Sequence, residues 1–235
     1  MEPIDTVTLS VIHNGLTNIC REMGTAMMRT SYSPIFNEGL DFSCVIFNTQ
    51  AEMIGQAEFC PTMLGSAQYA VKWTIDELGL ESFEPGDVVI HNDPYRGQCH
   101  MPEHMVLKPV FFQGELWGFV ANIAHLGEIG GMAPGSFAAD ATEVYQEGII
   151  IPPARLVSEG EIVDDVFNLI LANIRSPRQS AGDFRARDHC QRETADRTSD
   201  LWTSGSGHNG WLPRVEELLR NHRRCPGVFS LLYPE

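Results

Sequence analysis

Basic residues are scarce in this sequence: 16 Lys and Arg stand against 31 Asp and Glu, and Lys72 and Lys108 are its two lysines. The resulting net charge of −15 repels phosphate backbones and argues against nucleic acid as a partner. No run of 18 apolar residues occurs, so a membrane-spanning helix is not expected. The opening stretch, Met1 to His13, lacks the basic and continuously apolar regions of a signal peptide, which makes a cytoplasmic location the expectation. The six cysteines include no C-x-x-C pair, and in a chain of this length that predicts reduced thiols, with Cys20 and Cys44 as small core residues. Two catalytic signatures are missing as well. There is no G-x-x-x-x-G-K-[ST] loop for a nucleotide, and Ser136 lacks the G-x-S-x-G elbow of a serine nucleophile.

What is present describes an ordinary globular protein, with 43% hydrophobic and 20% charged residues over 235 positions, enough for one large domain or two small ones. The charge is uneven. Residues 1–174 hold six basic and 23 acidic side chains, a net of −17, whereas residues 175–235 hold ten and eight, a net of +2. From about Arg185 the apolar periodicity also fails. We therefore expect a folded region over residues 1–186 and a divergent, poorly structured tail over 187–235, with a brief helix at Val215–Arg220 the one element within it.

Within the first region, apolar residues from Ile4 to Met27 recur every three or four positions, which predicts an amphipathic helix capped by Asp5 or Thr6 and ending before Ser33-Pro34. Phe42–Phe47 and Glu52–Gly55 read as a hairpin, and Met63–Leu78 as a helix closed by Gly79. Val88–Ile90 is a short strand after the Pro85-Gly86-Asp87 turn. Met105–Phe112 and Leu116–Ile123 pair as a second hairpin turning at Gln113-Gly114. Gly148–Ile151 reads as an edge strand stopped by Pro152-Pro153, and Val163–Ile174 as a third helix. The fold class is α+β, with antiparallel hairpins in an antiparallel or mixed sheet packed with an N-terminal helix and further helices.

Chemistry concentrates at the two ends of the second hairpin. In Asn92-Asp93-Pro94-Tyr95-Arg96-Gly97-Gln98-Cys99-His100-Met101-Pro102-Glu103-His104, His100 and Glu103 lie three apart in a turn-rich loop and can converge on one ion; solvated side chains are the plainer reading. Imidazole with carboxylate suits Zn, Mn or Fe. Antiparallel pairing returns the chain to the same end at His125, so His100, Glu103 and His125 are the candidate ligands of a divalent metal. His125 bonded only to backbone, with Glu128 facing solvent, is the alternative. His104, one residue along the strand, should point away from Glu103. Gly130–Ser136 could cradle an anion with backbone N–H groups, or serve packing. Asp41 and Asp93 are candidate orienting or base residues; turn and N-cap duty is the alternative for both, and the stronger expectation for Asp93. Arg96 is either a carboxylate or phosphate binder or a solvated loop residue.

Asp41-Phe42-Ser43-Cys44-Val45-Ile46-Phe47, Pro85-Gly86-Asp87-Val88, Asn92-Asp93-Pro94-Tyr95, His100-Met101-Pro102-Glu103, Ala124-His125 with Gly130-Gly131, Pro134-Gly135-Ser136, Gln146-Glu147-Gly148 and Pro152-Pro153 follow one another as in hydantoinase B/oxoprolinase subunits. The sequence resembles that family from about Asp5 to Ala186. The resemblance implies a B-type subunit of an ATP-dependent hydantoinase, 5-oxoprolinase or ketone carboxylase complex. In such a complex a hydantoinase A-type partner uses the ATP, and the metal positions of the carboxylases match His100, Glu103 and His125. It further implies a cytoplasmic hetero-oligomer acting on a cyclic amide or a ketone-derived activated intermediate. A vestigial fragment that only binds its partner is the alternative. Glu103 stands where the family often has aspartate, and Leu126 where it often has a second histidine, departures that lean toward the carboxylase branch. Because family members are much longer, a truncation with a non-native tail is the expectation for the end of the chain.

Overall fold

The computed structural model describes residues 5–204, with side chains through 198. The first helix, α1 (Thr6–Thr30), begins where expected, with the Asp5 carboxylate accepting from the Val7 and Thr8 N–H groups at 3.0 Å each. Its buried face is Leu16, Ile19, Cys20, Met23 and Met27, whereas Val7 (73% exposed) and Val11 (49%) project beyond the core. The apolar stripe therefore runs further along the sequence than the surface it covers. A short helix, α2 (Pro34–Asn37), follows.

Next come β1 (Phe42–Asn48), β2 (Met53–Gln56), α3 (Pro61–Leu78), β3 (Val88–His91), β4 (Glu103–Phe112) and β5 (Glu115–His125). The chain then forms β6 (Ala154–Ser158), β7 (Glu161–Ile162), α4 (Asp164–Ala172) and α5 (Pro177–Ser204). The seven strands form one sheet in the order β2-β1-β5-β4-β3-β6-β7, every pair antiparallel. The α+β class with hairpins is thus the observed architecture. The β4–β5 hairpin turns through Gln113 (φ 52°) and Gly114 (φ 82°), two left-handed residues that match the twist of the strands.

Alternation divides the sheet into two faces. Val106, Val110, Val120 and Ala124 pack with α1, α4 and α5, while Met105, Leu107, Phe119, Ala121 and Ile123 pack with α3. Residues 148–151 are not the expected strand. Pro152 and Pro153 carry no N–H for a ladder, and this segment bonds instead to Ile129 and to the Asn92 side chain.

The larger correction concerns the expected boundary at 187. Helix α5 passes through it unbroken, and residues 187–198 belong to the fold. From Phe184 onward its buried positions (Phe184, Ala186, Arg187, Cys190, Gln191, Thr194, Ala195, Thr198) follow the helical period, but half of them are polar. Hydropathy consequently conceals the pattern. Arg187 is 0% exposed; its guanidinium donates to Asn122 Oδ1 (2.5 Å), the His104 carbonyl (2.6 Å) and the Asn122 carbonyl (3.1 Å). Gln191 donates to the Val106 carbonyl at 2.6 Å. Burial lowers the Arg187 pKa to about 9. The remainder of the expected tail, residues 205–235 with Val215–Arg220 and Cys225, lies outside the described residues. The five described cysteines, Cys20, Cys44, Cys60, Cys99 and Cys190, are free thiols, and Cys20 and Cys44 are buried as expected.

Candidate metal centre

Two loops at one end of the sheet build the site. The first joins β3 to β4 and is fixed by Asn92, whose amide donates to the carbonyls of Met101 and Ile149 at 2.9 Å each and accepts from Ile151 N–H at 2.6 Å. At the loop's bend Gly97 has φ 95°, and a Cβ there would stand 2.7 Å from the Tyr69 backbone of α3, so the close approach requires glycine. Asp93 accepts from Tyr95 N–H (2.9 Å) and from Arg96 (2.5 Å), and Arg96 also pairs with Glu77 at 2.7 Å. The candidate base role of Asp93 therefore gives way to a turn-capping one, and Arg96 is already neutralised.

The loop ends in a turn in which Glu103 N–H donates to the His100 carbonyl at 3.1 Å. This turn brings His100 Nε2 to 3.1 Å from Glu103 Oε1. Glu103 opens β4 directly opposite His125, the last residue of β5. His125 N–H donates to the Asp41 carbonyl at 3.1 Å, and Leu126 N–H to that of Pro102 at 2.9 Å. The imidazoles of His100 and His125 lie 5.1 Å apart between centroids. The three residues singled out by spacing thus converge, and Asp41 adjoins them, its charge favouring the protonated form of both histidines. His104 turns to the other face of the sheet, as alternation requires, against Phe184 of α5. Burial lowers its pKa to about 3.

Electrostatics separate the two histidines of the cluster. The bond to Glu103 raises the His100 pKa, whereas burial, then the neighbouring His100, lowers that of His125. Glu103 is 3% exposed and His125 6%, while the His100 side chain is 36% exposed, so the cluster opens on the His100 side. Three of its buried atoms have no hydrogen-bond partner: Glu103 Oε2, His125 Nδ1 and His125 Nε2. Orphaned buried polar atoms are costly, and their accumulation at one spot calls for a bound species. Among the described residues no three His, Cys, Asp or Glu side chains stand in an arrangement that could hold a metal ion. His100 bonds to Glu103 directly instead. By residue type, two imidazoles and a carboxylate suit a divalent cation, but ligation would require His100 to release Glu103.

The second loop, after β5, is held by residues that sequence reasoning passed over. Glu128, solvent-facing only in the alternative reading, is buried and accepts from Gly130 N–H and from the Arg175 guanidinium at 2.7 Å each, and from Arg175 N–H. Arg175 donates onward to the Gly130 (3.0 Å) and Gly131 (2.6 Å) carbonyls. Ile129 N–H donates to Ser136 Oγ at 2.7 Å and Met132 N–H to the Gln146 carbonyl at 2.7 Å. Within the glycine-rich stretch the N–H groups of Gly130, Met132 and Ser136 are thus bonded within the chain, which favours the packing alternative over an anion cradle. Arg175 carried no motif; a glutamate followed by Gly-Gly was the signal available.

Comparison with known proteins gives a consistent set of relatives. A sequence model described as hydantoinase B/oxoprolinase matches residues 5–223. An uncharacterized protein of Methanocaldococcus jannaschii is 43% identical over 186 residues, 78% of this chain and 33% of that protein. The caprolactamase subunit beta of Pseudomonas jessenii is 38% identical over 187 residues, 80% of this chain and 32% of the subunit. The crystal structure of the ATP-dependent caprolactamase from the same organism superposes with a TM-score of 0.83 at 33% identity, over 92% of this chain and 36% of that one. The chain spans about a third of the length of these relatives. The family match also runs past position 187, in keeping with the continuous α5.

Proposed function

Because the chain belongs to the hydantoinase B/oxoprolinase family, we propose that it is the metal-holding region of a B-type subunit that opens a cyclic amide in an ATP-dependent complex. His100, Glu103 and His125 would hold the cation, with Zn, Mn and Fe the metals suited to that donor set. When bound, such a cation polarises an amide carbonyl or phosphoryl oxygen and lowers the pKa of a coordinated water. The observation carrying the proposal is the orphaning of both His125 nitrogens and Glu103 Oε2 in a buried cluster.

The chain's own residues have separable tasks. Burial keeps His125 neutral, so a nitrogen lone pair is available for a ligand role. Glu103 has one oxygen bonded to His100 and the other free, so it can serve a cation without leaving its strand. Asp41, whose carbonyl accepts from His125 N–H and whose charge favours protonation of both imidazoles, would serve as an orienting or base residue. ATP would be used by an A-type partner rather than here, in a hetero-oligomer; a relative named as a beta subunit of an ATP-dependent enzyme supports this. Hydrolysis is favoured over carboxylation because that relative is a caprolactamase, which sets aside the carboxylase leaning of the sequence departures.

A second reading, a fragment that only binds its partner, draws on the chain's one-third coverage of its relatives and on the unclosed ligand geometry. Metal content separates the two. The chain purified with its A-type partner should contain about one metal ion per copy by mass spectrometry, lost in a His100→Ala/His125→Ala variant. Absence of metal from the unaltered chain would leave the second reading.

A further inference from the structure

Phe137 is 72% exposed, yet its ring lies parallel to that of His125, 5.4 Å away at 10°, and 6.4 Å from that of His100. A singly exposed aromatic is unremarkable by itself. This one, however, is carried on a backbone held from several sides. The preceding residue, Ser136, is buried in the left-handed region at φ 57°, which a non-glycine side chain rarely adopts. Its N–H donates to the Ala133 carbonyl, and its hydroxyl accepts from Ile129 N–H and reaches the Gly130 carbonyl. The Glu128–Arg175 pair locks the same loop from beneath.

One face of Phe137 therefore covers His125 while the rest of the ring meets solvent, beside His100 and the Glu103 carboxylate bonded to it. We propose that Phe137 is the specificity-determining wall of the site, selecting cyclic amides whose ring continues from the carbonyl as a hydrocarbon arc. The inference rests on the cyclic-amide reading above and goes beyond it by naming the class of ring. A carbonyl directed at His100 and His125 brings the adjoining ring atoms against the phenyl face. Methylenes bury apolar surface there, whereas ring N–H and carbonyl groups would lose water without gaining a partner.

The test uses the full chain with its A-type partner, titrated with ε-caprolactam and with hydantoin while the His125 ring-proton resonances are followed. Metal content is measured in parallel. Phe137→Ala should weaken ε-caprolactam about tenfold and hydantoin less than twofold, with Phe137→Leu within about twofold of the unaltered chain for both; tenfold corresponds to about 1.4 kcal/mol. Metal content should be unchanged, because Phe137 supplies no ligand. Equal weakening of both probes, or none, overturns the assignment of Phe137 while the cyclic-amide reading stands. Failure of the unaltered chain to bind either probe overturns both.

Discussion

Glu103 and His125 stand directly opposite one another at the end of the β4–β5 ladder, and each keeps buried side-chain atoms without a hydrogen-bond partner. A strand pair in a soluble protein ordinarily ends in turn residues or solvated side chains. Here the pair closes on a carboxylate and an imidazole, with a second imidazole bonded to the carboxylate at 3.1 Å. The arrangement concentrates unmet hydrogen-bonding capacity where a cation or substrate atom would relieve it.

Occupancy of that site should be visible as stability. A cation at a hundredfold excess over its Kd contributes about 2.7 kcal/mol, which for a chain of this size raises Tm by about 5–10 °C. Differential scanning fluorimetry with Zn or Mn, followed by a chelator, measures it. The His100→Ala/His125→Ala variant should show no reversible shift; an equal shift in that variant would place the cation elsewhere.

Asn92 ties three backbone groups from two segments. Asn92→Ala should cost about 2–4 kcal/mol, since buried backbone groups lose their partners. Urea denaturation reads the change. A cost under about 1 kcal/mol would show that the β3–β4 loop is held by other contacts.

Arg175 grips the loop through Glu128 and two carbonyls at once, a task that a lysine's single ammonium cannot reproduce. A double-mutant cycle of Glu128→Ala and Arg175→Ala should give a coupling of about 1–2 kcal/mol. Arg175→Lys should recover little of it and should shift the His125 ring-proton resonances by moving Phe137. Additive single effects would remove the pair's positioning role.

His91 is buried and neutral in its bonding: Nδ1 accepts from Asp93 N–H at 3.2 Å, and Nε2 lies 3.1 Å from the Arg96 carbonyl, as donor. Burial lowers its pKa below the ordinary 6.5. The unfolded chain then binds a proton that the folded chain refuses, so the contribution is complete above about pH 6.5 and fades as pH falls toward the lower folded-state value. Tm should decline between pH 7.5 and pH 5, and less steeply in His91→Gln. An identical decline in the variant would assign the acid sensitivity to other groups.

Arg187→Ala should destabilise by about 2–4 kcal/mol, because the buried Asn122 and His104 acceptors lose their donor. In the unaltered chain, limited proteolysis should spare residues 177–198 as fully as the β4–β5 hairpin. Early cleavage inside that stretch would restore a boundary near 187.

Much of the fold was legible because it is written in hydropathy with a regular period. The β1–β2 and β4–β5 hairpins, α1, α3 and α4 all lie within a few residues of where period and turn chemistry put them. Helix α5 was not, because Arg187, Gln191, Thr194 and Thr198 occupy its buried stripe; carbonyls of β4 and β5 accept from the first two, and the helix's own Cys190 and Thr194 carbonyls accept from the threonines. Residues 148–151 were misread for the converse reason. Three consecutive isoleucines look like a strand, but their backbone partners come from a side chain and a loop.

The sequence by itself determined that His125 returns to the end of the sheet that holds His100 and Glu103, since Gln113-Gly114 marks the turn of the hairpin; that Glu103 stands opposite His125 itself follows from the register shift between Val110 and Phe111, which belongs to the folded sheet. Tertiary structure alone decided that Asp41 joins them, that Asp93 is committed to its own turn and Arg96, and that Phe137 lies over His125. Those relationships depend on loops whose paths are fixed by distant partners, Asn92 on one side and Arg175 on the other. No local pattern of residues encodes a hydrogen bond that spans 47 or 59 positions.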